Sequence, residues 1–319
     1  MSGRRHAIAI MNPATGRLPG DKLAWFIEKL LEQTFELEFR FSSYPGEERE
    51  LAKAASQETD LIIAIGGDGT VANVAAGILG TSTHLAIIPN GSTNVIARGL
   101  GIPGDPVRAT RALQRDMLSR SIDVGISGDR VILHMAGSGL DSLMFRDARP
   151  AMKRLFAWLA YVPPALKHLG IRPWRFSLTI DGEKLETEAR MVLIANGSFI
   201  INPRFEVGKD IRIDDGYLDL LVFRPPNAAA ALSLAIWVIL GRPHRSRFVY
   251  QMKVKSLSVD SVPPAPVEFD GDYVGLTPFE VEVVPQALHI MVPRQHANRR
   301  VPERQSDYAI AAQSRREIH

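Results

Sequence analysis

Apolar runs broken by glycine-bearing loops set the rhythm of the first 125 residues. Residues 5–11 alternate into an apolar strand, and Leu61-Ile62-Ile63-Ala64 and residues 84–89 are short, continuously apolar runs. Runs of that length and texture read as buried parallel strands. Phe35-Glu36-Leu37-Glu38-Phe39-Arg40-Phe41 alternates cleanly and reads as a half-exposed strand. Between these runs, residues 23–31, 47–56, 71–79 and 107–118 carry helical spacing or helix-forming composition, and 95–100 reads as a helical turn. The βαβα alternation predicts a doubly wound parallel sheet whose connecting loops gather at one edge.

After residue 125 the texture changes to short strands, at 130–135, 176–180, 191–195, 218–223, 254–259, 267–269 and 279–283. Asp181-Gly182, Asn196-Gly197, Asp215-Gly216 and Asp270-Gly271 stand among them, the turn chemistry of antiparallel hairpins. This half reads as an antiparallel β-sandwich. Two helices interrupt it, at 151–161 and 228–240. The second is the longest apolar run, too short to cross a bilayer, and reads as a buried helix. The organisation expected is an α/β domain over 1–125, a sandwich over 126–285 and a flexible basic tail over 294–319.

The chain contains no cysteine, which excludes a disulfide framework and thiolate chemistry. The amino terminus has too short an apolar stretch for a signal peptide. A cytoplasmic protein is expected. The net charge is +3, and the last 26 residues account for it with six arginines against three acids. Residues 142–176 hold seven Lys/Arg against one acid, Asp147, interleaved with Phe145, Phe156, Trp158, Tyr161, Trp174 and Phe176. Residues 242–255 hold cations and no acid. Such stretches suit an anionic membrane surface or form a solvated basic face. No nucleic-acid reading motif backs them, so nucleic acid is not an expected partner.

The candidate chemistry lies in three loops that follow successive strands. They are Asn12-Pro13-Ala14-Thr15-Gly16, Gly66-Gly67-Asp68-Gly69-Thr70 and Asn90-Gly91-Ser92-Thr93-Asn94. Strand, glycine turn and helix present main-chain N–H groups to an anion, and glycine lets a phosphate approach closely. Asp68 repels a bare phosphate and fits such a loop when a divalent cation lies between them. His134 and His168 are lone histidines and read as structural, and Arg98 as a helix-end cation.

In order and spacing these motifs resemble the diacylglycerol kinase catalytic-domain family, which includes bacterial diacylglycerol and sphingosine-type lipid kinases. Gly137-Ser138-Gly139-Leu140-Asp141, Asn196-Gly197, Asp214-Asp215-Gly216-Tyr217-Leu218-Asp219 and Phe269-Asp270-Gly271-Asp272 extend the resemblance to roughly residues 5–293. It implies a Rossmann-like ATP-binding domain and a lipid-binding sandwich of the NAD-kinase/diacylglycerol-kinase type, with a last strand near 286–293 returning to the first domain. The ATP contacts it implies are Asn12, Pro13, Ala14, Thr15, Gly16, Ser42, Gly66, Gly67, Asp68, Gly69, Thr70, Val71, Ala72, Gly91 and Ser92. The implied metal site holds Mg²⁺ through Asp215 and the main-chain oxygens of Arg212 and Tyr217. The implied catalytic residues are Asp68 and, as base, Asp270 or Asp272. A lipid at the membrane surface, peripheral contact with the inner membrane, and a second copy in a homodimer are the partners expected.

The chain departs from the family pattern at Ala72-Asn73, where an Asn-Glu pair is usual, at Val95 for Asp, and at Asp272 for Glu. Ser198-Phe199-Ile200-Ile201 also replaces a glycine-rich turn. The reading is an ATP-dependent lipid kinase. The alternatives are an NAD kinase, which shares Gly-Gly-Asp-Gly, and a non-catalytic lipid- or nucleotide-binding homologue.

Overall fold

The computed structural model describes residues 4–13, 18–115, 117–147, 172–200 and 203–297. The expected contacts at Ala14, Thr15 and Gly16, the helix over 151–161, His168, Ile201, most of the basic aromatic stretch and the tail beyond 297 lie outside the described residues. Two compact units are present, one of residues 4–122 with 286–297, the other of residues 123–285.

The first unit is built on parallel strands β1 (Arg5–Met11), β2 (Phe35–Phe41), β3 (Leu61–Gly66) and β4 (His84–Pro89) in the order β2-β1-β3-β4. The end of a long last strand, β16 (Phe279–Pro293), adds in parallel to β4 through His289 and Ile290. Helix α1 (Gly20–Leu31) buries Leu23, Ala24, Ile27 and Leu31 against Ala7, Ala9, Met11, Ile63 and Ile65. That spacing is the apolar stripe of an amphipathic helix. Helices α2 (Glu47–Ala55) and α3 (Asp68–Ile78) pack closely together, since a Cβ on Gly77 would lie 2.4 Å from the carbonyl oxygen of Arg49. The small residues of α3 therefore serve helix–helix approach. A doubly wound parallel sheet is what the alternation predicted.

The second unit is an antiparallel sandwich. One sheet runs β12 (Val249–Val254), β11 (Leu218–Phe223), β10 (Met191–Ala195), β7 (Met135–Gly139), β14 (Pro266–Phe269) and β15 (Asp272–Leu276). Facing it are β8 (Trp174–Ile180), β9 (Glu183–Ala189), β13 (Ser256–Val262) and the start of β16. Phe176, Leu178, Leu257, Val259 and Val281 interdigitate with Val192, Leu220, Val254, Val267 and Phe269. Leu193, Leu221 and Phe223 point to the sheet's other face, where Leu234 of the helix Ala228–Ile239 covers them. Two-sided burial explains why β11 is apolar without alternation.

Three sequence expectations change. Residues 130–135 are not one strand, because the chain breaks at Leu133-His134 between β6 (Arg130–Ile132) and β7. Asn196-Gly197 does not close a hairpin, because residues 196–217 separate β10 from β11. The helix Ala228–Ile239 buries only Ala230 and Leu234 and exposes six of its twelve residues.

Candidate functional site

The strand order of the first unit places its switch point between β1 and β3, from which the chain leaves in opposite directions. Ligands of open parallel sheets bind outside the carboxyl ends of strands at that point. Asn12, Ser42, Gly67 and Asn90 are the first residues beyond β1, β2, β3 and β4. All therefore share that edge. A Cβ on Gly91 would stand 2.6 Å from the Cα of Gly67 and 2.7 Å from Oδ1 of Asn94. The two loops touch main chain to main chain, and only glycine fits. Asn94 holds its own loop, accepting from the Gly91 N–H at 2.9 Å and donating Nδ2 to the Gly91 carbonyl at 2.9 Å. Buried Asn90 accepts from the Leu18 N–H at 3.1 Å and so ties the loop after β1 to the loop after β4.

Helix α3 starts at Asp68 with Gly67 as an extended N-cap that makes no side-chain capping bond. Its first-turn amides, from Asp68, Gly69 and Thr70, precede any i−4 acceptor, so this end carries the positive pole of the helix. Asp68 caps a different helix. Its Oδ1 accepts from the Ile96 N–H at 3.0 Å and its Oδ2 from Thr93 Oγ1 at 3.0 Å, which fixes the short helix α4 (Val95–Gly99). The half-exposed carboxylate keeps lone pairs for a hydrated cation. Val71 contributes neither group to a ligand, since its side chain is buried and its N–H bonds Gly67.

Sequence reasoning missed Glu48, which is 1% exposed. Its Oε1 accepts from Asn12 Nδ2 at 2.9 Å and Ser42 Oγ at 3.0 Å. Its Oε2 accepts from the Gly46 N–H at 3.0 Å and Asn73 Nδ2 at 3.2 Å. One buried carboxylate thus positions the loops after β1 and β2 and the side of α3. The signal was present: Glu48, Ala52 and Ala55 fall on one face of α2. Arg98 lines a cavity of about 300 Å³ with Leu18, Gly104, Asp105 and Pro106.

In the second unit, Asp270 and Gly271 form the β14–β15 turn with φ of 49° and 91°. Asp270 Oδ1 accepts from the His134 and Met135 N–H groups at 2.8 and 2.9 Å, and Oδ2 from the Leu133 N–H at 2.9 Å. Those bonds hold the break ahead of β7. Asp272 is exposed at the start of β15. Beneath the turn, Glu268 is buried and its Oε2 accepts from the Gly271 N–H at 2.6 Å. A Cβ on Gly137 would lie 1.7 Å from Asp141 Oδ2 and 2.9 Å from Glu268 Oε1, so both carboxyl groups point into the space that glycine leaves. Asp141 retains some surface, but its Oδ2 is sealed from solvent with no partner among the described residues. Burial raises Asp141 to about 7, and burial with the adjacent Asp141 charge raises Glu268 well above its ordinary value.

The expected metal turn is held by other means. Asp215 Oδ2 pairs with Lys253 Nζ, and Asp215 Oδ1 accepts from the Tyr217 N–H at 3.2 Å. Arg212 turns its guanidinium to Asp214 Oδ1 at 3.3 Å. An ammonium already neutralises Asp215, and a divalent cation there would have to displace it; these residues do not fit the metal. Among the described residues no group of three His, Cys, Asp or Glu could hold a metal ion. Buried Asp123 Oδ2 accepts from the Gly216 N–H at 2.6 Å. Asn196 Nδ2 donates to the carbonyls of Asp123 and Leu133 at 2.8 and 3.1 Å, which links this turn to the segment that Asp270 holds. His134 is buried, and its Nε2 lies 2.8 Å from the Phe199 carbonyl, as a structural histidine should.

Two family models match the chain. Residues 6–126 match the diacylglycerol kinase catalytic domain, and residues 134–292 match the YegS C-terminal NAD kinase beta sandwich-like domain. A diacylglycerol kinase of Bacillus subtilis (strain 168) is 28% identical over 299 residues, covering 92% of this chain and 98% of that protein. A diacylglycerol kinase of Mycobacterium tuberculosis (strain ATCC 25618 / H37Rv) is 29% identical over 256 residues, covering 76% of this chain and 80% of that protein. The crystal structure of a diacylglycerol kinase from Bacillus anthracis str. Sterne superposes with a TM-score of 0.71 at 21% identity, covering 92% of this chain and 99% of that one. At that identity the likeness is one of fold.

Proposed function

Because the chain belongs to the diacylglycerol kinase catalytic-domain family, we propose that it is an ATP-dependent lipid kinase, transferring the γ-phosphate to the hydroxyl of a diacylglycerol-like lipid. The observation that carries this reading is the glycine-to-glycine contact of Gly67 and Gly91 in front of α3. That contact lets the loops after β3 and β4 close together at the start of α3, whose first-turn amides from Asp68, Gly69 and Thr70 have no i−4 acceptor within the helix and can meet phosphate oxygens. Asn12, Ser42, Gly66 to Ala72, Gly91 and Ser92 line the nucleotide, Val71 only as part of the framework, and Ala14, Thr15 and Gly16 join them on the family resemblance. Asp68 would hold the Mg²⁺ that accompanies ATP, and that cation would supply neutralisation of the phosphate charge.

The base is Asp272, because its side chain is exposed, whereas the three main-chain N–H bonds to Asp270 tie that carboxylate to the start of β7. The lipid hydroxyl gives its proton to the Asp272 carboxylate as its oxygen bonds to the γ-phosphorus. The bond from that phosphorus to the β–γ bridging oxygen breaks, and ADP leaves. A placed carboxylate contributes about 10²–10⁴-fold to such a step. The enzyme works as a peripheral protein at the membrane surface; no helix of the described residues is long and apolar enough to cross it.

The test is ADP release from the purified chain with Mg–ATP and a panel of diacylglycerol, a sphingoid base, phosphatidylglycerol and NAD. Lipid-dependent release that disappears in Asp68→Ala is expected. NADP formation, lipid-independent turnover, or nucleotide binding with no turnover on any substrate would overturn the reading.

A further inference from the structure

The helix Ala228–Ile239, the seventh α-helix among the described residues (α7), leaves an apolar face uncovered. Leu232, Ile236, Ile239 and Leu240 are 60%, 54%, 70% and 60% exposed. At spacings of four, three and one they share one side of the helix. The other side packs on the six-stranded sheet through Leu234 and Val238. Gly241, at φ 68°, ends the helix, and the chain then presents Arg242, Arg245 and Arg247, all exposed. None of the three makes an ion pair among the described residues; Arg247 stacks on Phe248 at 4.9 Å. No Asp or Glu occurs from residue 220 to 259, whereas Arg224, Arg242, Arg245, Arg247, Lys253 and Lys255 do.

We propose that this face docks the protein on an anionic lipid bilayer, with the four aliphatic side chains entering the interface and the three arginines meeting the headgroups. The charge selects this occupant. A second copy paired about a two-fold axis would bring the same arginines together. Residues 148–171 of this chain carry Arg149, Lys153, Arg154 and Lys167 and no acid, so they too are like-charged. An apolar helix face bordered by exposed arginines is the pattern of a helix lying in the plane of a membrane, and an anionic surface rewards each basic residue. The proposal deepens the lipid-kinase reading and rests on it for its purpose, but binding is measured without the reaction.

The experiment is co-sedimentation of the full chain with phosphatidylcholine vesicles, with and without phosphatidylglycerol. Binding is expected only when phosphatidylglycerol is present, weakening as salt rises. Leu232→Glu/Ile236→Glu and Arg242→Glu/Arg245→Glu are each expected to lower partition by at least about tenfold. Both variants should keep their melting temperature, because the replaced side chains are exposed, and keep their activity on short-chain diacylglycerol dispersed in water. Equal binding to neutral vesicles, or unchanged binding in Leu232→Glu/Ile236→Glu, would overturn the proposal. So would a shift of that variant from dimer to monomer with vesicle binding intact. A chain that binds vesicles through α7 yet phosphorylates no lipid would defeat the kinase reading and leave the docking surface standing.

Discussion

Asp270 and Asp272 are two residues apart and have opposite surroundings. Asp270 accepts three main-chain N–H bonds and pins the start of β7, whereas Asp272 faces solvent. Asp270→Asn presents an NH₂ to an amide that needs an acceptor, and hydrogen bonds to a charged group are worth about 1.5–3 kcal/mol each. A fall in melting temperature is therefore expected from Asp270→Asn. Asp272→Asn should keep its melting temperature and lose about 10²–10⁴-fold in kcat. Thermal melts beside steady-state kinetics check both, and a stable but inactive Asp270→Asn would reverse the assignment. The buried carboxyl pair below makes a second prediction. Asp141 has an unfolded value near 3.8 and a folded value near 7, so in that interval the folded state holds a proton that the unfolded state has lost. Its contribution to stability is complete below the lower value and is lost as pH rises through the upper one. Asp141→Asn removes that slope, at most about 1.4 kcal/mol per pH unit. Urea denaturation at pH 5 and pH 8 should show the variant gaining on the parent at the higher pH, and parallel pH profiles would refute this.

At the scale of elements, the sequence made some things legible and hid others for physical reasons. The parallel sheet was readable because β3 and β4 are apolar runs, β1 becomes one from Ala7, and all three lead into glycine-bearing loops. The β14–β15 turn was readable because Asp-Gly supplies two positive φ angles cheaply. Asn196-Gly197 offered the same letters, but the buried Asn196 side chain bonds two carbonyls and the chain runs on as a loop. Dipeptide chemistry alone does not separate these cases. The helix Ala228–Ile239 is apolar all round, so hydropathy marks no inner face, and only packing shows that half of its residues are exposed. Glu48 was concealed in a run of acids, Glu47-Glu48-Arg49-Glu50, that reads as a solvated face. Its burial follows from helical phase with Ala52 and Ala55, a weaker cue than charge. The family pattern puts a carboxylate at position 73, where this chain has Asn73; Glu48 delivers one to Asn73 from the neighbouring helix.

For the whole molecule, two separate sets of core residues make a prediction that neither unit makes alone. The first unit closes around Ala9, Ile27, Ile63 and Ile88, the second around Phe176, Leu220, Val259 and Phe269. All the nucleotide contacts proposed lie in the first. A ligand that binds only folded protein stabilises by mass action, by about 2.7 kcal/mol at a hundredfold excess over Kd. Chains with two cores need not unfold in a single step. Differential scanning calorimetry should therefore resolve two components, with Mg–ATP raising one and leaving the other in place. Glu48→Ala identifies which one moves. It strips an acceptor from Asn12, Ser42 and Asn73 at once, a loss of at least about 1–3 kcal/mol. The component that Mg–ATP raises is the one that Glu48→Ala should lower, and the variant should show a smaller nucleotide shift because the loops after β1 and β2 are no longer held. If Mg–ATP instead raised the component that Glu48→Ala leaves untouched, the nucleotide would bind in the sandwich. The glycine contact in front of α3 would then be only a tight turn.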